Sequence, residues 1–206
     1  MYLKLVIPAL CVICCQFAAT LRPVKSKNKD VWKTMKKSDV FFLLRRTYRW
    51  SAERSQCSYT RILQRNEKNR SLVTLMGNYE KSQDVYNAHK AYVTTKKGKD
   101  KKTRNIMAFS RTGYGGTGIE YEMIFDDGAG CSVLKVTKVT QEGAPQSWVG
   151  QCEMWATKEA APNITVMATC EDAYWGQCNP DTTVEDTPYG IHCEDPPTKV
   201  ERKKKV

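Results

Sequence analysis

The run Val40-Phe41-Phe42-Leu43-Leu44-Arg45-Arg46-Thr47-Tyr48-Arg49-Trp50 decides the fold. Two sets interleave in it: Phe42, Leu44, Arg46, Tyr48 and Trp50 alternate with Phe41, Leu43, Arg45, Thr47 and Arg49. A period of two belongs to a β-strand, whose successive side chains face opposite sides. The first set ends in Tyr48 and Trp50 where the second ends in Thr47 and Arg49, so the first is expected to face inward.

Seven further segments share this character, near 57–65, 71–79, 88–95, 104–110, 118–126, 131–140 and 147–157. Each is rich in β-branched or aromatic residues. Turn chemistry separates several of them: Lys96 to Lys102 around Gly98, Arg111 to Gly118, Asp126-Asp127-Gly128-Ala129-Gly130 and Gln141-Glu142-Gly143-Ala144-Pro145. Eight sequential antiparallel strands can close into an up-and-down barrel, which removes both exposed edges and leaves room for one small ligand. A β-sandwich is the rival all-β reading. Against it stands a helical segment after the last strand, where Val166, Cys170 and Ala173 form an apolar stripe that can lie on a barrel wall. Before the first strand, Asp30-Val31-Trp32-Lys33-Thr34-Met35 reads as a short helix, capped by Asp30, with Trp32 and Met35 on one face.

Residues 1–20 carry Lys4, then an apolar run from Leu5 to Cys15, then small residues at Ala18, Ala19 and Thr20. That is the layout of a secretory signal peptide, and the run is shorter than the roughly 20 residues a membrane span needs. The expectation is cleavage between Ala18 and Thr20, secretion to an extracellular compartment, and one soluble domain over 21–206 with a basic tail at about 199–206. Cleavage removes Cys11, Cys14 and Cys15. Cys57, Cys131, Cys152, Cys170, Cys178 and Cys193 remain, an even set that implies three disulfides without fixing their pairing. A zinc site among Cys170, Cys178, His192 and Cys193 is the alternative, but no C-x2-C or H-x3-H spacing supports it. Asn69 and Asn163 begin N-x-S/T sequons and are the expected glycan sites; Asn163 would escape the packed helix face only if it were itself the cap.

The 33 Lys and Arg against 22 Asp and Glu give a formal charge of +11, which falls to +10 without Lys4. The charge gathers in three tracts: Lys25 to Lys37, Lys96 to Lys102, and Lys199 to Lys205. No basic stripe interleaved with aromatics is present, so nucleic acid is not an expected partner. Gly113-Tyr114-Gly115-Gly116-Thr117-Gly118 satisfies G-x-G-x-x-G, but the alternating Ile119 to Phe125 follows where a dinucleotide site needs a helix. Only His89 and His192 offer imidazole bases, and no G-x-S-x-G or H-E-x-x-H motif occurs. Neither catalysis nor a cofactor is expected. On the sixth strand Ile119, Tyr121, Met123 and Phe125 make the apolar set, leaving Glu120 and Glu122 to solvent.

Cys152-Glu153-Met154-Trp155, then Cys170, Cys178 and Cys193, follow Asp30-Val31-Trp32-Lys33 and the Arg45-Arg46-Thr47-Tyr48 strand that leads to Cys57. In this order and spacing the chain resembles the salivary lipocalins of ticks, whose best-known members are histamine-binding proteins; the likeness runs from about Asp30 to Cys193. The resemblance implies an eight-stranded barrel with an N-terminal helix and a second helix docked outside. It implies the disulfides Cys57–Cys193, Cys131–Cys170 and Cys152–Cys178. It also implies a pocket lined by Glu153 and Trp155 of the last strand and Tyr48 of the first, where a carboxylate would pair with an ammonium and aromatic faces would add cation–π attraction. Phe42, Arg46 and Tyr121 complete the expected ligand-binding set.

Two departures from the amine-binding pattern bear on the ligand. Ser51 stands three residues after Tyr48, where those members carry an acid, and Arg46 takes an inward position where a small residue is expected. A buried Glu153 opposite Arg46 would be self-neutralised, and an inward Arg suits the carboxylate of a fatty acid or leukotriene. The expectation is thus a monomeric, secreted lipocalin that sequesters a small host mediator and dampens inflammation or haemostasis, with no membrane partner. Its ligand is a biogenic amine, histamine or serotonin, with an eicosanoid next. An inhibitor of a host protease, complement component or platelet target, acting through the basic loops, is the reading of another class.

Overall fold

The computed structural model describes residues 26, 29–50, 56–81, 84–99, 101–181, 184–193 and 195–199. The expected leader, Ser51 and the tail beyond Lys199 lie outside them.

Eight strands follow one another: β1 (Val40–Arg46), β2 (Gln56–Asn66), β3 (Ser71–Glu80), β4 (Val85–Lys96), β5 (Ile106–Ser110), β6 (Gly118–Asp126), β7 (Cys131–Val139) and β8 (Cys152–Thr157). Each pairs antiparallel with the next, and β8 returns to β1, so the sheet is a closed up-and-down barrel. Closure leaves no unpaired edge, which rules the sandwich out. Two strand limits move from their expected places. β8 starts at Cys152 because Gln146–Trp148 forms a 3-10 turn, and β4 starts earlier, at Val85. The Gly-rich loop joins β5 to β6, with Gly113 and Gly115 at φ 135° and 77°, and a strand follows it.

The barrel wall has an apolar layer on each side. The interior holds Phe41, Leu43, Tyr121, Met123, Leu134, Val136 and Trp155. The outer layer holds Phe42, Leu44, Phe125, Val133, Met154 and Ala156. Phe42 was expected inward, and it instead faces out, with its ring 5.4 Å from that of Tyr189. The cause is an irregularity in register between Leu43 and Arg45, opposite Trp155 and Met154: the extra residue inverts the alternation, so Leu43 and Arg46 share the inner face. A second irregularity, between Met123 and Phe125, turns Phe125 outward in the same way.

The outer layer is covered by α2 (Ile164–Cys178). Its N-cap is Asn163, whose side-chain oxygen accepts from the amides of Thr165 at 3.0 Å and Val166 at 3.2 Å. Cys170, Ala173 and Tyr174 are buried against the barrel, and half-buried Val166 extends the stripe. Disulfides Cys131–Cys170 and Cys152–Cys178 fasten α2 to β7 and β8, and Cys57–Cys193 fastens β2 to the C-terminal segment, the pairing that the resemblance implies. By the chain-entropy argument, loops of this length contribute about 3–5 kcal/mol each.

One end of the barrel is closed by α1 (Val31–Thr34), which Asp30 caps through a bond from the Lys33 amide at 3.2 Å. Trp32 and Met35 face the interior. The fully buried Asp126 carboxylate anchors this plug: it accepts from Thr34 Oγ1 and pairs with Lys37 Nζ at 3.1 Å. Among the described residues no helix is long and apolar enough to cross a membrane.

Candidate functional site

A cavity of about 140 Å³ occupies the half of the barrel away from α1. At the ~10–15 Å³ that one water needs on this measure, it has room for on the order of ten water-sized groups. Phe109 and Trp155 form its floor, because the same two side chains also line a smaller void of about 20 Å³ beneath, next to α1.

Glu153 is the chemical centre of this cavity. It lies on β8, two residues before Trp155, so both side chains point inward. Its carboxylate is buried, 4% exposed, and accepts three bonds from neutral donors: Tyr48 Oη, Tyr121 Oη at 3.2 Å and Trp155 Nε1 at 2.8 Å. Both tyrosines are held well above their ordinary value near 10, first by burial and next by the Glu153 charge, so they remain donors at any physiological pH. No cation among the described residues lies within ion-pair distance of Glu153.

Arg46 does face the cavity, but it does not neutralise Glu153. Its guanidinium meets Asp186 through Nε at 3.0 Å and Nη2 at 2.5 Å, and both side chains are buried. The two backbones also bridge, with N–H to O distances of 2.9 and 3.0 Å. Asp186 belongs to the C-terminal segment that Cys57–Cys193 ties down. Nothing in the periodicity of β1 pointed to a partner 140 residues away.

Of the six residues expected at the ligand, Arg46, Tyr121, Glu153 and Trp155 line the cavity. Phe42 does not, because it is on the outer face. Tyr48 stands behind Glu153: its ring stacks on Trp148 at 4.8 Å, under the Arg46 guanidinium at 5.5 Å, and only its hydroxyl reaches the carboxylate. Trp148 is in turn covered by Trp50 at 4.7 Å, so three aromatic rings stack beside the cavity. The strand pattern missed Leu43, hidden by the β1 irregularity, and it missed the opposite wall, where β3 and β4 contribute Met76, Asn78 and His89. The signal for His89 was present in its parity with Ala91 and Val93. Glu120 and Glu122 face away, bonded to Lys96 Nζ at 3.0 Å and Asn105 Nδ2 at 2.9 Å.

Cys57, His192 and Cys193 offer metal-type atoms within 4.8 Å of one another. Both sulfurs belong to one disulfide, so no thiolate is there to bind an ion. The sequon residues Asn69 and Asn163 are both exposed, Asn69 in the β2–β3 turn and Asn163 at the α2 cap.

The profile of the tick histamine binding protein family matches residues 20–195. The chain belongs to that family. It is a small-ligand-binding lipocalin. Among solved structures it is similar to the major allergen Per a 4 of cockroaches (12% identity, 81% of this chain and 94% of that one, TM-score 0.51). It is also similar to Japanin from Rhipicephalus appendiculatus bound to cholesterol (14%, 76% and 95%, 0.48), and to lobster apocrustacyanin A1 (10%, 82% and 88%, 0.47). At these identities the likeness extends to the barrel and not to its contents. No curated protein matches the chain.

Proposed function

We propose that this protein is a secreted scavenger of a biogenic amine, histamine or serotonin, which it captures stoichiometrically in the barrel to dampen host inflammation or haemostasis. The reading rests above all on Glu153, a buried carboxylate served among the described residues by neutral donors alone, beside a void large enough for a small molecule. An ammonium entering there meets a buried carboxylate that has no ion-pair partner among the described residues, where attraction is stronger than in bulk water. Tyr121 and Trp155 supply aromatic surface for the cation and its ring. Family membership supports the same ligand class.

The eicosanoid reading loses its mechanism. The Arg46 guanidinium already holds the Asp186 carboxylate, so the base that would receive an eicosanoid's acid is paired within the protein. The secretory leader over 1–20, glycans on Asn69 and Asn163 and a monomeric state are part of the proposal, since a circulating scavenger needs export and solubility rather than a partner subunit. Calorimetric titration with histamine, serotonin and a leukotriene tests the ligand class. One-to-one heat with an amine and none with the leukotriene is expected. Silence with both amines would overturn the reading.

A further inference from the structure

The wall facing Glu153 has a chemistry of its own. In a closed ring of eight strands β4 stands four places from β8 in either direction, so His89 lies across the barrel from Glu153. His89 shares its inward parity with Ala91 and Val93, the latter fully buried in the interior layer. One cavity touches both Glu153 and His89, with Arg111 beside the imidazole at its open end. Neither ring nitrogen of His89 has a hydrogen-bond partner among the described residues, whereas every oxygen of Glu153 is served. A half-buried imidazole with no hydrogen-bond partner among the described residues, aimed into a void, is placed to bond whatever fills that void.

The state of this imidazole defines what it can accept. Burial, and then the positive charge of Arg111, push His89 down to about 4, so it is neutral at physiological pH. A neutral ring offers one N–H donor and one bare nitrogen acceptor. It can therefore accept from a hydroxyl or ring N–H and donate to an oxygen or ring nitrogen. A second ammonium would meet the like charge of exposed Arg111 instead.

We propose that His89 and Arg111 form a second recognition pole, selecting ligands that carry one ammonium and a distal neutral hydrogen-bonding group and rejecting diamines. This rests on the amine reading above and narrows it to a bipolar monocation. In such a ligand the ammonium lies at Glu153, the ring spans the aromatic floor of Phe109 and Trp155, and the hydroxyl or ring nitrogen ends at His89. A ligand lacking the distal group leaves the imidazole unsatisfied, and a site built for a hydrogen bond discriminates strongly against an analogue that cannot make it.

Serotonin and tryptamine differ only by the ring hydroxyl and serve as probes, with 1,5-diaminopentane as the diamine. The full-length secreted protein should bind serotonin more tightly than tryptamine by about fivefold or more. In His89→Leu, with melting temperature retained, the ratio should fall to near one through loss of serotonin affinity, while tryptamine affinity holds. In Arg111→Ala, at an exposed residue on the cavity lining, 1,5-diaminopentane should gain about threefold or more relative to serotonin. Equal binding of serotonin and tryptamine by the unaltered protein, or a ratio unchanged in a folded His89→Leu, would overturn the pole and leave the amine reading standing. Failure of both monoamines to bind would instead strike the amine reading itself.

Discussion

Replacing Glu153 by Gln removes one charge and almost no volume, so it isolates the electrostatic term in ligand capture. An ammonium about 4 Å from a carboxylate is attracted by ~4 kcal/mol at an effective dielectric of about 20. Mutational values for hydrogen bonds to charged groups are lower, ~1.5–3 kcal/mol. A loss of ~2–4 kcal/mol follows, or between about 30-fold and about 1,000-fold in Kd at ~1.4 kcal/mol per decade. The fold should tolerate the change. Tyr48 and Tyr121 both donate to Oε1, which the Gln carbonyl can replace, and only the Trp155 Nε1–H would face an amide donor. One lost bond costs ~1 kcal/mol, a melting shift of about 2–4 °C in a domain of this size. Isothermal titration with histamine and serotonin measures the first quantity and thermal denaturation the second. A control ligand in which the ammonium is replaced by a hydroxyl should bind both proteins alike. A folded Glu153→Gln protein whose amine affinity stays within about twofold of the original would refute the claim that this carboxylate drives capture.

Three other outcomes follow from the geometry. Asp186→Asn leaves the buried Arg46 without its counter-charge, which should cost about 3 kcal/mol of stability and weaken amine binding on the order of tenfold, although Asp186 does not line the cavity; denaturant melts and calorimetry read both. Tyr48 and Tyr121 stay protonated in the native state above the pH near 10 at which the unfolded chain releases those protons, so stability should be lost as pH rises past 10, and their tyrosinate absorbance near 295 nm should appear only with unfolding. Replacing Cys131 and Cys170 together by Ser opens a loop spanning 39 residues, worth about 4 kcal/mol, and should lower the melting temperature by about 8–16 °C while leaving amine affinity nearly unchanged, because α2 lies outside the barrel.

The parts of this protein that were legible in its sequence are those governed by short-range rules. Turn residues such as Asp126 to Gly130 and the alternation along Ile119 to Met123 set strand number and order, and seven successive hairpin-type links between eight strands leave a barrel as the means of hiding both edges. The inward placement of Tyr121 came from the same period of two, and that of Glu153 and Trp155 from the family resemblance. Val40 to Leu44 was illegible for a physical reason. With α2 packed outside, both faces of β1 are buried, so both sets are apolar and hydrophobicity carries no parity; the irregularity at Leu44 then settles which side Phe42 takes.

What only the folded chain decided is the charge balance of the cavity. Sequence placed Arg46 and Glu153 on one inner face and left them to cancel each other. The Cys57–Cys193 link instead carries Asp186 to Arg46, and among the described residues the carboxylate of Glu153 is left to three neutral donors. Local pattern fixes which way a side chain points, because that depends on its neighbours along the strand. Which charge meets which depends on a contact across 140 residues, and no periodicity encodes it.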